Sequence, residues 1–377
     1  MTAAVAWTDP ERPFCAEAEH SYSLPAQLYT DPEIFAQERE AIFQKSWHYV
    51  GHMCDLPESG SYFTCSVQDE DLIVLRDGSG NPRAFYNVCQ HRAHQLLEGR
   101  GRTRIITCPY HAWAYGLDGK LRGARGSEEV AGFIKEDVCL TAVSVELLCG
   151  FIFINLDPAA TALAKQAADL AGQIEKLVPG TADFCRVATS SWAIEANWKV
   201  VIENYLECYH CEVAHPALAS LLDMKSYQGT LAESWVHLYY KSKGEAENKA
   251  YSLAADAPIV ASDYWWLWPL TTFNINPGQT NINVFHFVPL GPGKTLEVVE
   301  YFLPSDTMSE EEKAQVAYGC DTLQAEDNRI CEAVQRGLGS RGYKTGRLMV
   351  PPDPTHLSER PTHHFQMMVA SALGLTD

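Results

Sequence analysis

Apolar and polar positions follow two rhythms along this chain. Between residues 47 and 157 the apolar stretches are short and turn residues separate them. Segments 62–67, 71–76, 84–88, 105–108 and 150–156 read as strands, because β-branched and aromatic residues fill them and Gly, Pro, Asn and Asp bound them. Asp77-Gly78-Ser79-Gly80-Asn81-Pro82 and Asp118-Gly119 supply turns. The longest apolar run, 147–154, falls far short of the ~20 residues that a membrane-spanning helix needs, and reads as one buried strand. The pattern predicts a small antiparallel β domain.

Elsewhere the rhythm is mixed. Residues 1–30 are polar, carry Pro10, Pro13 and Pro25, and are expected to wrap a surface without regular structure. Asp31-Pro32-Glu33-Ile34-Phe35 opens a helix, with an N-cap aspartate, proline in the first turn and then Ile42 and Phe43; it ends near 45–47. Residues 159–178 are alanine-rich and read as a helical connector over a domain junction. Residues 197–212 read as a helix and 235–303 as strands rich in Trp, Tyr, Phe and Val. Ser309-Glu310-Glu311-Glu312 starts a helix with acidic residues at its positive end, and 321–338 forms the last long one. The predicted class is α+β: an N-terminal arm and helix over 1–45, a β domain over 46–158, and a larger domain over 159–377 with an antiparallel sheet flanked by helices.

Composition sharpens this picture. With 377 residues, 46% hydrophobic and 20% charged, the chain is long enough for two globular domains. A formal charge of −19 argues against nucleic acid and anionic membranes as partners. The 12 cysteines are scattered, several between apolar neighbours, and no secretory leader is read ahead of them, so a reducing cytoplasmic setting is expected.

The densest chemistry lies in Cys89-Gln90-His91 and Cys108-Pro109-Tyr110-His111, each offering one thiolate and one imidazole. A zinc finger usually groups its cysteines together and its histidines together. A Rieske [2Fe–2S] centre holds one iron by two Cys and the other by two His, which suits two loops that each bring one of both. His94 reads as packing or a neighbour of the ligands. A second group, Glu207-Cys208-Tyr209-His210-Cys211-Glu212-Val213-Ala214-His215-Pro216, carries two histidines five residues apart. On a regular helix those side chains would point ~140° apart, so they share a metal only if the helix is distorted or ends there. Pro216 disfavours helical backbone at His215. Adding a carboxylate gives the facial triad of non-haem iron oxygenases. Spacing leaves Asp321, Glu326, Asp327 and Glu332 open for that role.

The flanks NVCQHRAHQLL and CPYHAWAYGLDGKL resemble the cluster loops of Rieske oxygenases, with Gln90 where many relatives carry proline. The likeness runs to residue 343 and is to the oxygenase α subunits of Rieske non-haem iron enzymes. Within them, Ala196-Asn197-Trp198-Lys199, Asn204-Tyr205-Leu206-Glu207-Cys208-Tyr209-His210-Cys211 and Val334-Gln335-Arg336-Gly337-Leu338 resemble the branch of carnitine, choline and glycine betaine monooxygenases and stachydrine demethylase. The resemblance implies a helix-grip (START-like) catalytic domain, with Cys89, His91, Cys108 and His111 holding [2Fe–2S], and His210, His215 and Asp327 holding Fe(II). Glu207 matches the carboxylate that bridges a cluster histidine of one subunit to the iron histidine of its neighbour, and Asn204 matches a residue lining the iron pocket.

A homotrimer is implied as well, since within one chain of this fold the two metals lie too far apart. So is a separate flavin/iron–sulfur reductase, because no Gly-rich dinucleotide fingerprint follows a strand here. The implied reaction takes electrons from NAD(P)H through that reductase, activates O₂, and hydroxylates a C–H beside the nitrogen of a quaternary ammonium compound or betaine. A permanent cation is bound by aromatic faces, so Trp265, Trp266, Trp268 and Phe273 are the expected substrate residues, with Tyr264, Trp235 and Tyr239 in reserve. Two rivals stay open: the same machinery acting on an aromatic ring or aryl ether, and a Rieske electron carrier whose second half only docks partners.

Overall fold

The computed structural model describes residues 11–246 and 248–376. The chain forms two compact units, Phe43–Asp183 and the chain on either side of it. Segment 159–183, assigned above to the second domain, clusters with the first unit. Leu163, Leu170 and Ile174 are fully buried there, Trp47 Nε1 donates to the Thr161 carbonyl at 2.9 Å, and Thr181 Oγ1 donates to that of Cys149 at 2.9 Å.

The first unit is built on a seven-stranded antiparallel sheet in the order His48–His52, Phe151–Asn155, Ala142–Leu148, Pro82–Tyr86, Glu70–Arg76, Ser61–Val67, Arg100–Arg102. Strand Glu70–Arg76 sends alternate side chains to two cores: Leu72 and Val74 to one, Ile73 and Leu75 to the other. The apolar run 147–154 is a hairpin rather than one strand. Its turn, Cys149-Gly150, has φ of +52° and +86°, the left-handed pair that two-residue hairpins prefer. A Cβ on Gly150 would also lie 2.4 Å from Ala182 Cα, so only glycine fits.

The second unit carries another seven-stranded antiparallel sheet, in the order Cys185–Ile194, Lys294–Leu303, Ile282–Gly291, Thr271–Ile275, Ala261–Leu267, Trp235–Ser242, Leu222–Leu231. Helix Trp198–Leu206 packs against Ile282–Gly291, Lys294–Leu303 and helix Gln324–Leu338. Helix Pro32–Ala41, capped by Asp31, pins this layer: Glu38 accepts from Trp198 Nε1 at 2.8 Å and forms a fully buried ion pair with Lys199.

The helix read over 197–212 stops at Leu206, and Glu207 is extended at φ −130°, ψ 153°. The Glu207 carboxylate accepts from the backbone N–H groups of Tyr209 and His210, and Cys208 is disulfide-bonded to Cys211, so the chain folds into a tight turn before the short helix Cys211–Ala214. The other described cysteines are free thiols. The helix read over 321–338 is regular only from Gln324, and it is not the last long one, since helix Arg360–Ala372 follows it. Residues Tyr318–Leu323 form a π-helical turn, in which a Cβ on Gly319 would lie 2.3 Å from Tyr301 Oη.

Candidate metal centres and substrate cavity

The two Cys/His loops are backbone copies of each other. Cys89 N–H donates to the His94 carbonyl at 2.9 Å and Ala93 N–H to that of Cys89 at 3.0 Å; Cys108 N–H donates to Trp113 at 2.8 Å and Ala112 N–H to Cys108 at 3.0 Å. Ala93 and Ala112 both take left-handed φ, +54° and +57°. Each loop therefore places its cysteine, buried, at the base and its histidine, exposed, at the tip. The His91 and His111 rings lie 4.6 Å apart, and His91 stacks on Trp113 at 4.7 Å. Buried thiols behind paired exposed imidazoles are the donor set that a Rieske cluster takes, so these residues fit that group. His94 is used through its backbone carbonyl. Tyr115, which the motif reading did not single out, has its Oη 3.2 Å from Cys89 Sγ and accepts from Gln90 N–H at 3.1 Å.

In the second unit His210, His215 and Asp327 converge, each offering one donor atom within 4.8 Å of the others. His210 lies in the turn after the broken helix, His215 directly before the helix that Pro216 opens, and Asp327 in the first turn of Gln324–Leu338. The nitrogens on the far side of both rings are held by carboxylates: Glu207 Oε1 lies 2.6 Å from His210 Nδ1, and Glu326 Oε2 lies 2.8 Å from His215 Nδ1. Such backing fixes the ring orientation and makes Nε2 a better donor. Glu326, one of the carboxylates that spacing left open for the third ligand, thus takes a supporting place. Asp321 and Glu332 are not among the converging donors. Burial alone would hold His210 down, but Asp327 and Glu207 outweigh it and bring the imidazole up to about 10. Three converging donors that favour positive charge, on a triangle of octahedral-face size, fit a 2-His-1-carboxylate iron.

These donors form one end of a cavity of about 130 Å³. Its wall includes Asn204, Tyr205, Tyr240, Tyr251, Tyr264 and Tyr301, with Phe285 and Phe287. Asn204 Nδ2 lies 3.4 Å from His210 Nε2. Tyr205 Oη donates to Asn274 Oδ1 at 2.7 Å and Tyr264 Oη to Asn276 Oδ1 at 3.1 Å, so wall amides fix these rings. Burial pushes the Tyr264 hydroxyl up to about 12.

Trp265, Trp266, Trp268 and Phe273, expected to contact substrate, do not line this cavity. Strand alternation puts Trp265 on the face opposite Tyr264, stacked on His237 at 4.7 Å, with Phe273 beside it in register. Trp266 shares the parity of Tyr264 but lies farther along the strand, where it meets Trp268 at 5.9 Å and Phe365 at 5.4 Å. Of the reserve residues, Tyr264 lines the cavity; Trp235 and Tyr239 do not.

A small cluster-loop domain and a helix-covered antiparallel sheet with two His and one Asp define an iron–sulfur, non-haem iron oxygenase component. Residues 46–134 match the Rieske [2Fe-2S] domain, and residues 181–375 match the catalytic domain of the ring hydroxylating alpha subunit. The carnitine monooxygenase oxygenase subunit of Escherichia coli (strain K12) is 36% identical over 359 residues, 95% of each chain. The chloroplastic choline monooxygenase of Beta vulgaris is 32% identical over 372 residues, 97% of this chain and 79% of the relative. A solved quaternary ammonium Rieske monooxygenase superposes with a TM-score of 0.88 at 34% identity, covering 97% of this chain and 99% of that one. Naphthalene 1,2-dioxygenase from Rhodococcus sp., at 20% identity and a TM-score of 0.77 over 94% of this chain and 95% of that one, shares the fold. The chain belongs to the Rieske non-haem iron oxygenases as an oxygenase α subunit, a monooxygenase whose cofactors are a [2Fe–2S] cluster and a mononuclear iron. Among the described residues, no helix is long and apolar enough to cross a membrane.

Proposed function

We propose that this subunit hydroxylates a carbon beside the nitrogen of a quaternary ammonium substrate. Cys89, His91, Cys108 and His111 hold the cluster, and His210, His215 and Asp327 hold the iron. The observation that carries the substrate class is the cavity wall: tyrosine and phenylalanine rings, carboxylates, and no Lys or Arg among the described lining residues. Aromatic faces attract a cation that has no proton to donate. The relatives support the same class, since two are named carnitine and choline monooxygenases and one solved structure holds L-carnitine.

When bound, the cluster supplies electrons singly and the iron supplies a site for O₂ with open positions. The protein's part is positional. Glu207 accepts a hydrogen bond from His210 Nδ1–H, and Glu326 one from His215 Nδ1–H, which turns both Nε2 atoms toward Asp327 and the metal position. Leu218, Leu221, Leu222 and Leu238 keep part of the wall apolar and exclude water. The wall rings hold the nitrogen so that an N-alkyl carbon faces the three donors. Hydroxylation of an N-methyl gives a hemiaminal that collapses to the demethylated amine and formaldehyde; hydroxylation of a longer arm gives an aldehyde. Glu207 serves as the bridge for electrons arriving from a neighbouring subunit of a homotrimer, which a separate reductase supplies.

The test is NADH-driven O₂ uptake by the iron-replete protein with a generic reductase, across carnitine, choline, glycine betaine, proline betaine and simple arenes, with formaldehyde and aldehyde assayed in parallel. Coupled uptake with one quaternary ammonium compound is the expected result. Uptake with arenes alone would overturn the substrate class.

A further inference from the structure

The cavity holds a carboxylate that no group in the protein answers. Glu297, on strand Lys294–Leu303, faces the cavity opposite Phe287 in register, and the same inward faces carry Asn283, Phe285 and Tyr301. Glu297 is 3% exposed, and its Oε2 has no hydrogen-bond partner. Two more wall atoms, Asn283 Oδ1 and Tyr318 Oη, also lack one. Folded proteins pair their buried charges, because a desolvated ion without a partner is costly. An unanswered carboxylate in a cavity wall is a place kept for a charge that arrives from outside. Burial, and then the nearby Asp327 carboxylate, push Glu297 up to about 8, so in the empty cavity the group rests largely neutral near pH 7, and an arriving cation draws it into the charged form.

We propose that Glu297 is the counter-charge that recognises the cationic nitrogen of the substrate, while the neighbouring rings take its alkyl groups. It has this role only if the quaternary ammonium reading above holds. Such a nitrogen makes no directional hydrogen bond, so what distinguishes it from a neutral tert-butyl carbon of the same shape is charge alone. Phe285, Phe287 and Tyr301 beside Glu297 supply shape and the ring faces; Glu297 supplies the charge.

Choline and its neutral isostere, 3,3-dimethyl-1-butanol, separate the two contributions. Their binding is measured by calorimetry on the holoenzyme without reductase, so that no turnover occurs. The wild type is expected to prefer choline. Glu297→Gln should weaken choline about tenfold and leave the isostere within about twofold, whereas Glu297→Asp, which keeps the charge, should retain most of the preference. A Gln variant that keeps the full preference removes Glu297 from recognition while the substrate class stands. Equal loss of both ligands assigns Glu297 to cavity shape and overturns the proposal. A wild type with no preference overturns both the counter-charge and the substrate class. Should the Gln variant not fold, Glu297→Met, which also removes the charge, decides: weakening of choline with the isostere within about twofold supports the proposal, and an unchanged preference or equal weakening of both ligands sinks it.

Discussion

His210 Nε2 and His215 Nε2 stand 3.1 Å apart, and Asp327 Oδ1 closes the triangle at 3.5 Å and 2.9 Å. Donors on one face of an octahedral first-row ion, each about 2.1 Å from it, lie about 3.0 Å from one another. The three side chains are therefore set for a metal before one arrives. Glu207 and Glu326 hold them there from behind.

Removing one corner tests this directly. Asp327→Ala is expected to lower iron from about three to about two per chain, while the visible spectrum of the cluster persists. Glu326→Ala, which removes only the support of His215, should weaken iron binding about 10- to 100-fold without abolishing it. Metal analysis after dialysis against a weak chelator reads both variants. Full iron retention by the Asp327 variant would remove it from the ligand set.

Glu207 carries a second prediction. Glu207→Gln keeps an acceptor near His210 Nδ1 but removes the negative charge. Both metals should stay bound while turnover falls about a hundredfold or more. In a stopped-flow experiment, the cluster reduced by the reductase should then remain reduced in the presence of substrate and O₂. Prompt reoxidation with coupled product formation would sink the bridging role, and a monomer with full turnover would sink the trimer.

What could be read from the chain was whatever sits in short, ordered motifs. The two cluster loops were legible because each sets one Cys and one His within a few residues, a chemically specific pair. Pro216 likewise signalled that the helix could not run through His215. The break at Glu207 was not legible, since it depends on a side chain capping backbone N–H groups two and three residues on, and on the Cys208–Cys211 bond. The expectation that Trp265, Trp266, Trp268 and Phe273 line the cavity was not met, for a geometric reason. Period-two alternation gives the parity of a strand residue but not which face is the cavity, nor how far along the strand the cavity reaches. Trp266 and Tyr264 share parity, yet Phe365 covers one and the cavity meets the other.

The hydroxyl of Tyr115, 3.2 Å from Cys89 Sγ, bears on the potential of the cluster. A hydrogen bond to a cluster sulfur stabilises the reduced, more negative state. Losing one worth about 1 to 1.5 kcal/mol corresponds to about 40 to 65 mV in a one-electron couple. Tyr115→Phe should therefore lower the midpoint potential by about that amount and slow reduction by the reductase, with the spectrum of the cluster little changed. A potentiometric titration that finds no shift would place the hydroxyl's role with Gln90 N–H, which it also contacts.

The reassignment of the aromatic residues predicts that stability and substrate affinity are separable. Trp266 is fully buried against Trp268 and Phe365, so Trp266→Ala should cost about 3 to 5 kcal/mol of folding stability through the void it leaves. At a sub-destabilising temperature the folded fraction should keep its KM. Tyr264 lines the cavity, and a cation held against its ring gains about 0.5 to 2 kcal/mol. Tyr264→Leu should accordingly raise KM for the quaternary ammonium substrate about 2- to 30-fold. Tyr264→Phe, which keeps the ring and loses only the bonds to Ser262 and Asn276, should stay near the wild-type value. Thermal melts run beside steady-state kinetics decide the matter. If Trp266→Ala raises KM as much as Tyr264→Leu does, the tryptophan reaches the substrate after all, and the division between cavity wall and core falls elsewhere than strand alternation places it.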